Sequence, residues 1–450
     1  MWDEVEVRLG FLRPTKAVRV LLLVVGLTAA TFASTAAAIS HGKKPKSGAV
    51  LAQTPLVGGV TDTSAAIVVR TTKTATVVVH YGIGALTSTT APVVTATDHD
   101  YAAHIALGGL LPETAYSYGV EINGVLNPAV FGFTTFPPQS EERSFTFVAF
   151  SDQDTPRAAP AWSTGAAEHP AFVLQLGDFT HTAIAPKAKE KRKIRNWWQL
   201  NLISTASTPA GQWFSSAIAS SFPFVHIWDD HDYGKADGDE TFPYRSVAMQ
   251  AFADDFPTYP LSSPTQGFWQ SFRYAQAEVF VLDLRSARDP DTRRDDASKS
   301  MLGPTQKAWL LNGLLNSTAT WKFVVSSSVW NPHSKQQDSW AQFKHEQDEI
   351  VDFIRTNSIT GVIFMSGDIH SNGAIDDGTN SYFPEISVPN TNTASWTCTG
   401  LNGCGTWSEG YTVGLMAGGY AAFHVTPSSV TIEAKGVSGD IRHNLTVVAS

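Results

Sequence analysis

Four short clusters of carboxylates and imidazoles follow apolar runs in this chain. Asp152 and Asp154 follow residues 145–150, and Asp178 and His181 follow residues 172–176. Asp229, Asp230, His231 and Asp232 follow or close the run 222–228, and Asp368 and His370 come after 361–365. An apolar run bounded by turn residues reads as a buried strand. Side chains at the carboxyl ends of such strands face the crevice where open sheets bind ligands. Carboxylate oxygens and imidazole nitrogens together suit a pair of divalent or trivalent metals rather than a thiolate site. The chemistry this predicts is that of a two-metal hydrolase. Each cluster alone is a weak signal, because Asp also closes turns by bonding its own backbone. Four of them in one region, each behind a strand-like run, carry the inference.

The elements that position these residues are legible from residue 144 onward, where strands alternate with helical patterns and predict an α/β architecture. Helices are expected at 189–202, 246–256, 305–315 and 342–355, the third entered through Gly303 and Pro304, with Pro in the first turn. Ahead of this region lie short alternating strands at 65–70, 76–81, 102–107, 116–122 and 130–134, spaced as in a small β-sandwich. The stretch Leu111 to Tyr118 resembles the loop-to-strand corner of fibronectin type III domains, where a Tyr hydroxyl bonds back to the chain. Residues 136–143 read as a linker. The acidic, Gly-rich segment 232–240 reads as a solvated loop, and His226, inside an apolar run, as a satisfied core residue.

The chain has 450 residues, 43% hydrophobic and 16% charged, a globular composition with room for more than one domain. A formal net charge of −9 argues against a protein built to grip nucleic acid, and no such partner is indicated. Residues 20–40 carry no charge, follow Arg8, Arg13, Lys16 and Arg19, and pass from an apolar block into small residues. That order reads as a secretory signal peptide, with an uncleaved membrane anchor as the alternative. The expected location is secreted, periplasmic or on the cell surface. The only two cysteines, Cys398 and Cys404, are expected to pair as a disulfide in an exported chain.

The order of the clusters resembles that of the calcineurin-like metallophosphoesterases, and within them the alkaline phosphatase D (PhoD-like) family. Its Gly-Asp-x-x-Tyr, Asp-Asp-His-acid and Gly-Asp-x-His blocks correspond to residues 177–181, 229–232 and 367–370. Phe280-Val-Leu-Asp-Leu-Arg-Ser-Ala-Arg288 is similar to a family strand, and Leu302-Gly-Pro-Thr-Gln-Lys-Ala-Trp-Leu310 to the helix after it. The resemblance implies a four-layer αββα metallophosphoesterase sandwich at 145–450, preceded by a fibronectin III-like β-sandwich at 46–137. Residues 138–144 would then link the two, and 1–45 would be the signal or anchor with its polar stretch.

The resemblance also implies two metal ions about 4 Å apart that together bind and activate a phosphoric ester and a water molecule. Asp178 would bridge them. The first metal would take Asp152, His370 and His181, and the second Asp230 and Asp368. His231 would contact the phosphate or protonate the leaving oxygen. Arg157, Asn331 and Asn372 are candidates to touch substrate, and Arg285 and Arg288 to brace their strand through ion pairs. Two positions depart from the family pattern: Asp152 stands where a Cys is expected, and His181 where a Tyr is expected. Carboxylates with two imidazoles suit Zn, Mn or ferrous Fe at the first position, and the carboxylate-only second position suits Ca, Mg or Mn. The expected substrate is a small phosphate monoester or diester. The alternatives are a nucleotide or anhydride hydrolase of the same fold, or a cell-surface binding protein whose altered ligands have impaired catalysis.

Overall fold

The computed structural model describes residues 48–153, 159–181, 202, 213–392, 405–412 and 418–449. Eight strands come first: β1 (Leu56–Gly58), β2 (Ser64–Arg70), β3 (Ala75–Gly82), β4 (Ser88–Thr89), β5 (Val93–Thr95), β6 (Ala102–Gly108), β7 (Ala115–Ile122) and β8 (Val125–Thr134). They form a three-stranded sheet in the order β1-β2-β6 and a second sheet in the order β4-β3-β7-β8, with β5 also paired to β3. Alternation along these strands buries Ile67 and Val69 from one sheet with Val77, Val79 and Val120 from the other. At the corner before β7 the Leu111 N–H donates to the Tyr116 hydroxyl at 2.9 Å. The Tyr259 hydroxyl in turn donates to the Val60 carbonyl at 2.8 Å, tying this sandwich to the remainder of the chain.

Two larger sheets follow. One has the order β11-β10-β9-β19-β20-β21 and is built from β9 (Phe145–Phe150), β10 (Val173–Gln175), β11 (Phe224–His226), β19 (Gly419–Val425), β20 (Ser429–Gly436) and β21 (Ile441–Val448). The other has the order β12-β13-β14-β15-β17-β16-β18. Its strands are β12 (Gln270–Tyr274), β13 (Ala277–Val281), β14 (Trp321–Val325), β15 (Val362–Ser366), β16 (Ala374–Asp376), β17 (Glu385–Ser387) and β18 (Gly410–Tyr411). Strands β9, β10 and β11 run parallel, with Val173 opposite both Val148 and Phe224. Buried on both faces, they read as unbroken apolar runs, as parallel strands do.

The two sheets pack face to face through aromatic side chains. Phe147 of β9 stacks on Phe423 of β19 at 4.4 Å between ring centroids and meets the edge of Phe323 of β14 at 5.0 Å. Helices cover the outer faces. On the six-stranded side α1 (Pro160–Ala166) sets Trp162 on Phe150 at 4.7 Å. The short helix α2 (Asp230–Tyr233) and α3 (Arg245–Asp255) follow β11. On the seven-stranded side α4 (Gly303–Asn316) and α5 (Lys344–Thr356) bury Leu310, Leu314, Ile350 and Ile354 against Phe280, Val324 and Phe364. The result is a mixed α/β fold with several sheets.

Three of the expected helices appear as α3, α4 and α5, shifted by one or two residues, whereas the helix expected at 189–202 lies outside the described residues apart from Leu202. The segment 232–240 is exposed at 235–237 and at Glu240, as the sequence suggested, and buried elsewhere. Asp232 and Asp239 are buried, because Asp232 accepts hydrogen bonds from the N–H groups of Phe179 and Asp229 and Asp239 accepts from Thr241. His226 is buried among the rings of Phe179, Phe224, Phe252 and Phe256.

Candidate metal centre

Parallel pairing of β9, β10 and β11 brings the residues at their carboxyl ends side by side, and β13, β14 and β15 of the facing sheet deliver theirs to the same crevice. The chain turns sharply as it leaves the strands. Asp152, Asp178, Asp368 and His370 all have left-handed backbone, with φ of 53°, 50°, 68° and 43°. This conformation is uncommon for side-chain-bearing residues and persists only where the surroundings enforce it. Here they do. The N–H of Asp152 donates to the Gly177 carbonyl at 3.3 Å, that of Gln153 to the Asp178 carbonyl at 2.7 Å, and that of His181 to the Gln153 carbonyl at 2.8 Å.

Among the described residues, four groups of side chains in this crevice offer ligand atoms within 4.8 Å of one another: Asp152, Asp178 and His370; Asp178, His181 and His231; Asp178, Asp229 and Asp230; and Asp230, Asp338 and Asp368. Asp178 belongs to three of the four. His370 Nε2 lies 3.5 Å from Asp152 Oδ1, and His181 Nε2 lies 3.7 Å from Asp178 Oδ2. The His181 ring sits between those of His231 and His370, at 4.1 and 4.4 Å.

The electrostatics of the first group favour a bound cation. Asp178 is buried, and its Oδ2 has no hydrogen-bond partner among the described residues. Burial, reinforced by Asp230, Asp229 and Asp152, pushes the Asp178 carboxyl well above the ordinary range. Burial likewise pushes Asp152 up to about 7, with Asp229 adding to it. Burial, then His231, lowers His181 to about 4, which leaves a neutral imidazole able to ligate. Carboxylates crowded in this way stay ionised only beside compensating positive charge. The donor set of Asp152, Asp178, His370 and His181 fits a metal ion.

The second group carries a cation of its own. Asp230 and Asp368, expected to hold the second metal, come together with Asp338, but Lys335 joins them. Its Nζ donates to both oxygens of Asp368, at 2.8 and 2.7 Å, and lies 3.6 Å from Asp338 Oδ2. Burial opposes the charge on Lys335, and Asp368 and Asp338 outweigh it, so its pKa is raised. The ammonium group lies against the carboxylate expected to chelate the second ion. Asp230 itself accepts from the N–H groups of His231 at 2.8 Å and Asp237 at 2.7 Å.

Behind the crevice Arg285 is completely buried. Its Nε donates to Asp229 Oδ1 at 2.5 Å, and its Nη1 and Nη2 to the two oxygens of Asp338 at 2.7 and 2.9 Å. Arg288 adds a further contact to Asp338 at 2.8 Å. Burial alone would raise Asp338, but Arg285, Arg288 and Lys335 hold it far below the ordinary carboxylate range. Lys335 and Asp338 are not among the candidates the sequence offers, which in this loop include Asn331. The available signal was a Lys and an Asp three residues apart after the apolar run 321–325.

The remaining candidates sit as follows. Asn331 has both ends of its amide engaged, donating to the Thr406 carbonyl and accepting from the His333 N–H. Asn372 accepts from Asn390 Nδ2 at 3.2 Å behind His370. Arg157, Asp154, Cys398 and Cys404 lie outside the described residues, as does the N-terminal apolar segment.

Comparison with known proteins bears on this centre. Residues 147–395 match the PhoD-like phosphatase family. This chain belongs to that family. Residues 48–138 match a separate domain of unknown function (DUF7800). Alkaline phosphatase D of Bacillus subtilis (strain 168) is 24% identical over 314 residues, which cover 61% of this chain and 54% of that protein. The alignment thus spans about half the length of this curated relative. A solved structure of PhoD superposes with a TM-score of 0.68 at 18% identity, covering 89% of this chain and 90% of that one. A purple acid phosphatase from yellow lupin (Lupinus luteus) seeds gives 0.58 at 12% identity, covering 89% and 74%. At these identities the superpositions establish the fold. The acidic and imidazole clusters of this PhoD-like chain, from Asp152 to His370, lie within the matched region.

Proposed function

We propose that this chain is an exported phosphoric-ester hydrolase in which Asp152, Asp178, His181 and His370 hold a metal ion. The observation that carries the reading is Asp178: three ligand groups meet at its carboxylate, which is buried with one oxygen unpartnered among the described residues. When bound, such an ion supplies a Lewis acid for the phosphoryl oxygens and acidifies a water molecule beside them. The chain's own residues do the rest. His231 stands at the crevice with Nδ1 lacking a hydrogen-bond partner among the described residues, so its imidazole can hand a proton to the departing alkoxide. Its backbone is fixed by Asp178 and Asp230, which both accept from its N–H. Arg157, Asn331 and Asn372 are proposed to line the substrate site around these groups.

Phosphomonoesters and phosphodiesters are the substrate classes. Export is supported by the basic, apolar and small-residue order of the first forty residues, and among the described residues no helix is long and apolar enough to cross a membrane. The Tyr116 hydroxyl bond supports a fibronectin III-like reading of the sandwich at 46–137, ahead of a catalytic domain at 145–450.

The test is hydrolysis of nitrophenyl phosphate and bis-nitrophenyl phosphate by the purified chain, with and without chelator. Cleavage that disappears on chelation and returns with Mn²⁺, Zn²⁺ or Fe²⁺ is expected. Cleavage of neither ester under any of these metals would overturn the proposal.

A further inference from the structure

We infer that Lys335 is the built-in cation of the second position, so that this chain binds one metal ion where its fold family implies two. The inference rests on the metal-dependent reading of the first position and deepens it. Asp230, Asp338 and Asp368 bring ligand oxygens within 4.8 Å of one another. Left to themselves, three buried carboxylates at that spacing would demand a cation from solution.

The chain supplies its own. Lys335 is 4% exposed and reaches the cluster from the loop after β14. Its Nζ donates to Asp368 Oδ2 at 2.7 Å and Oδ1 at 2.8 Å, so both oxygens that would chelate an ion are already taken. The same Nζ is 3.6 Å from Asp338 Oδ2, whose carboxylate is also held by Arg285 and Arg288. A dication bound to Asp230 and Asp368 would have to sit within contact distance of this ammonium, and like charges that close in a buried site repel strongly. At the first position Asp152 meets His370 at 3.5 Å and Asp178 meets His181 at 3.7 Å. The consequence for chemistry is a fixed single positive charge, set 2.7 Å from Asp368, in place of an exchangeable double one.

The experiment is metal stoichiometry of the full chain after loading with Mn²⁺, Zn²⁺ or Ca²⁺ and removal of loose ions. One tightly bound ion per chain is expected, unchanged in Lys335→Arg. Lys335→Ala, which removes the charge and opens the space, is expected to take up a second ion. Anomalous scattering from Mn²⁺-soaked crystals of the unaltered chain gives a readout independent of any variant's folding. A single peak among Asp152, Asp178 and His370 supports the inference, and a second among Asp230, Asp338 and Asp368 overturns it. Two tight ions in the unaltered chain, or one in a folded Lys335→Ala, also overturn it while leaving the hydrolase reading intact. A folded chain that binds no ion at all removes both.

Discussion

The backbone N–H of His231 donates to Asp178 Oδ1 at 3.2 Å, so the first turn of α2 is keyed to the carboxylate at the end of β10. The same N–H reaches Asp230 Oδ1 at 2.8 Å. The His231 imidazole is therefore placed by the backbone, and replacing it should leave the framework standing. His231→Gln is expected to slow hydrolysis by about 10²–10⁴-fold for alkyl phosphates, whose alkoxide needs a proton, and much less for nitrophenyl phosphate. Equal losses for the two leaving groups would show that His231 is not the acid.

Asp178 is the hub of the ligand groups. Asp178→Asn keeps the shape and removes the charge, so bound metal should fall sharply and turnover by about 10²–10³-fold or more. Elemental analysis beside a rate assay checks both. Full metal content in a folded Asp178→Asn would place the ion elsewhere.

Arg285 anchors the back of the crevice through a two-pronged pair with Asp338 and a third bond to Asp229. Lys cannot reproduce that fork. Arg285→Met takes the guanidinium from buried Asp229 and leaves Asp338 to Arg288 and Lys335, and should cost about 3–5 kcal/mol in denaturant unfolding, with Arg285→Lys recovering only part. A variant within experimental error of the parent would mean that the ion network contributes nothing net.

Gly177 precedes Asp178 with φ at 104°, and a Cβ there would fall 2.5 Å from Asp229 Cβ. Gly177→Ala should destabilise by about 1–3 kcal/mol and lower activity, since Asp229 and Asp178 must both shift. Gly84, with φ of 74° and open space around it, is the control. Gly84→Ala carries the backbone strain alone and should leave turnover unchanged. Equal effects from the two substitutions would rule out close packing as the cause.

Glu385 is fully buried, accepting from the Trp330 N–H and the Ser366 hydroxyl, and burial pushes its carboxyl up to about 8. An acid whose folded pKa lies above its unfolded value stabilises the fold fully below the unfolded value and loses that advantage as pH rises through the folded one. Relative to Glu385→Gln, the parent chain should therefore weaken by a few kcal/mol between about pH 4.5 and pH 8 and then level off. Unfolding free energies that stay parallel across that window would contradict a neutral Glu385.

Much of the centre was legible in the chain itself. Asp152, Asp178, Asp230, Asp368 and His370 each sit just past a buried strand or apolar run, and apolar runs with turn residues at their ends are local signals. The helix after Pro304 was readable for the same reason. Position along the sequence also marked Asp152 and His181 as departures from the family's ligands. What the chain alone did not disclose is which charges meet. Arg285, Asp229 and Asp338 follow three different strands, and Lys335 meets Asp368 across another strand boundary. Those contacts depend on how β11, β13, β14 and β15 line up between two facing sheets, and no periodicity in the residues encodes that alignment. The sequence by itself marked Asp152, Asp178, His181 and His370 as chemistry-bearing residues behind strand-like runs. Only the tertiary structure decided that the Lys335 ammonium meets Asp368 and Asp338, because these groups are brought together by sheet packing rather than by spacing along the chain.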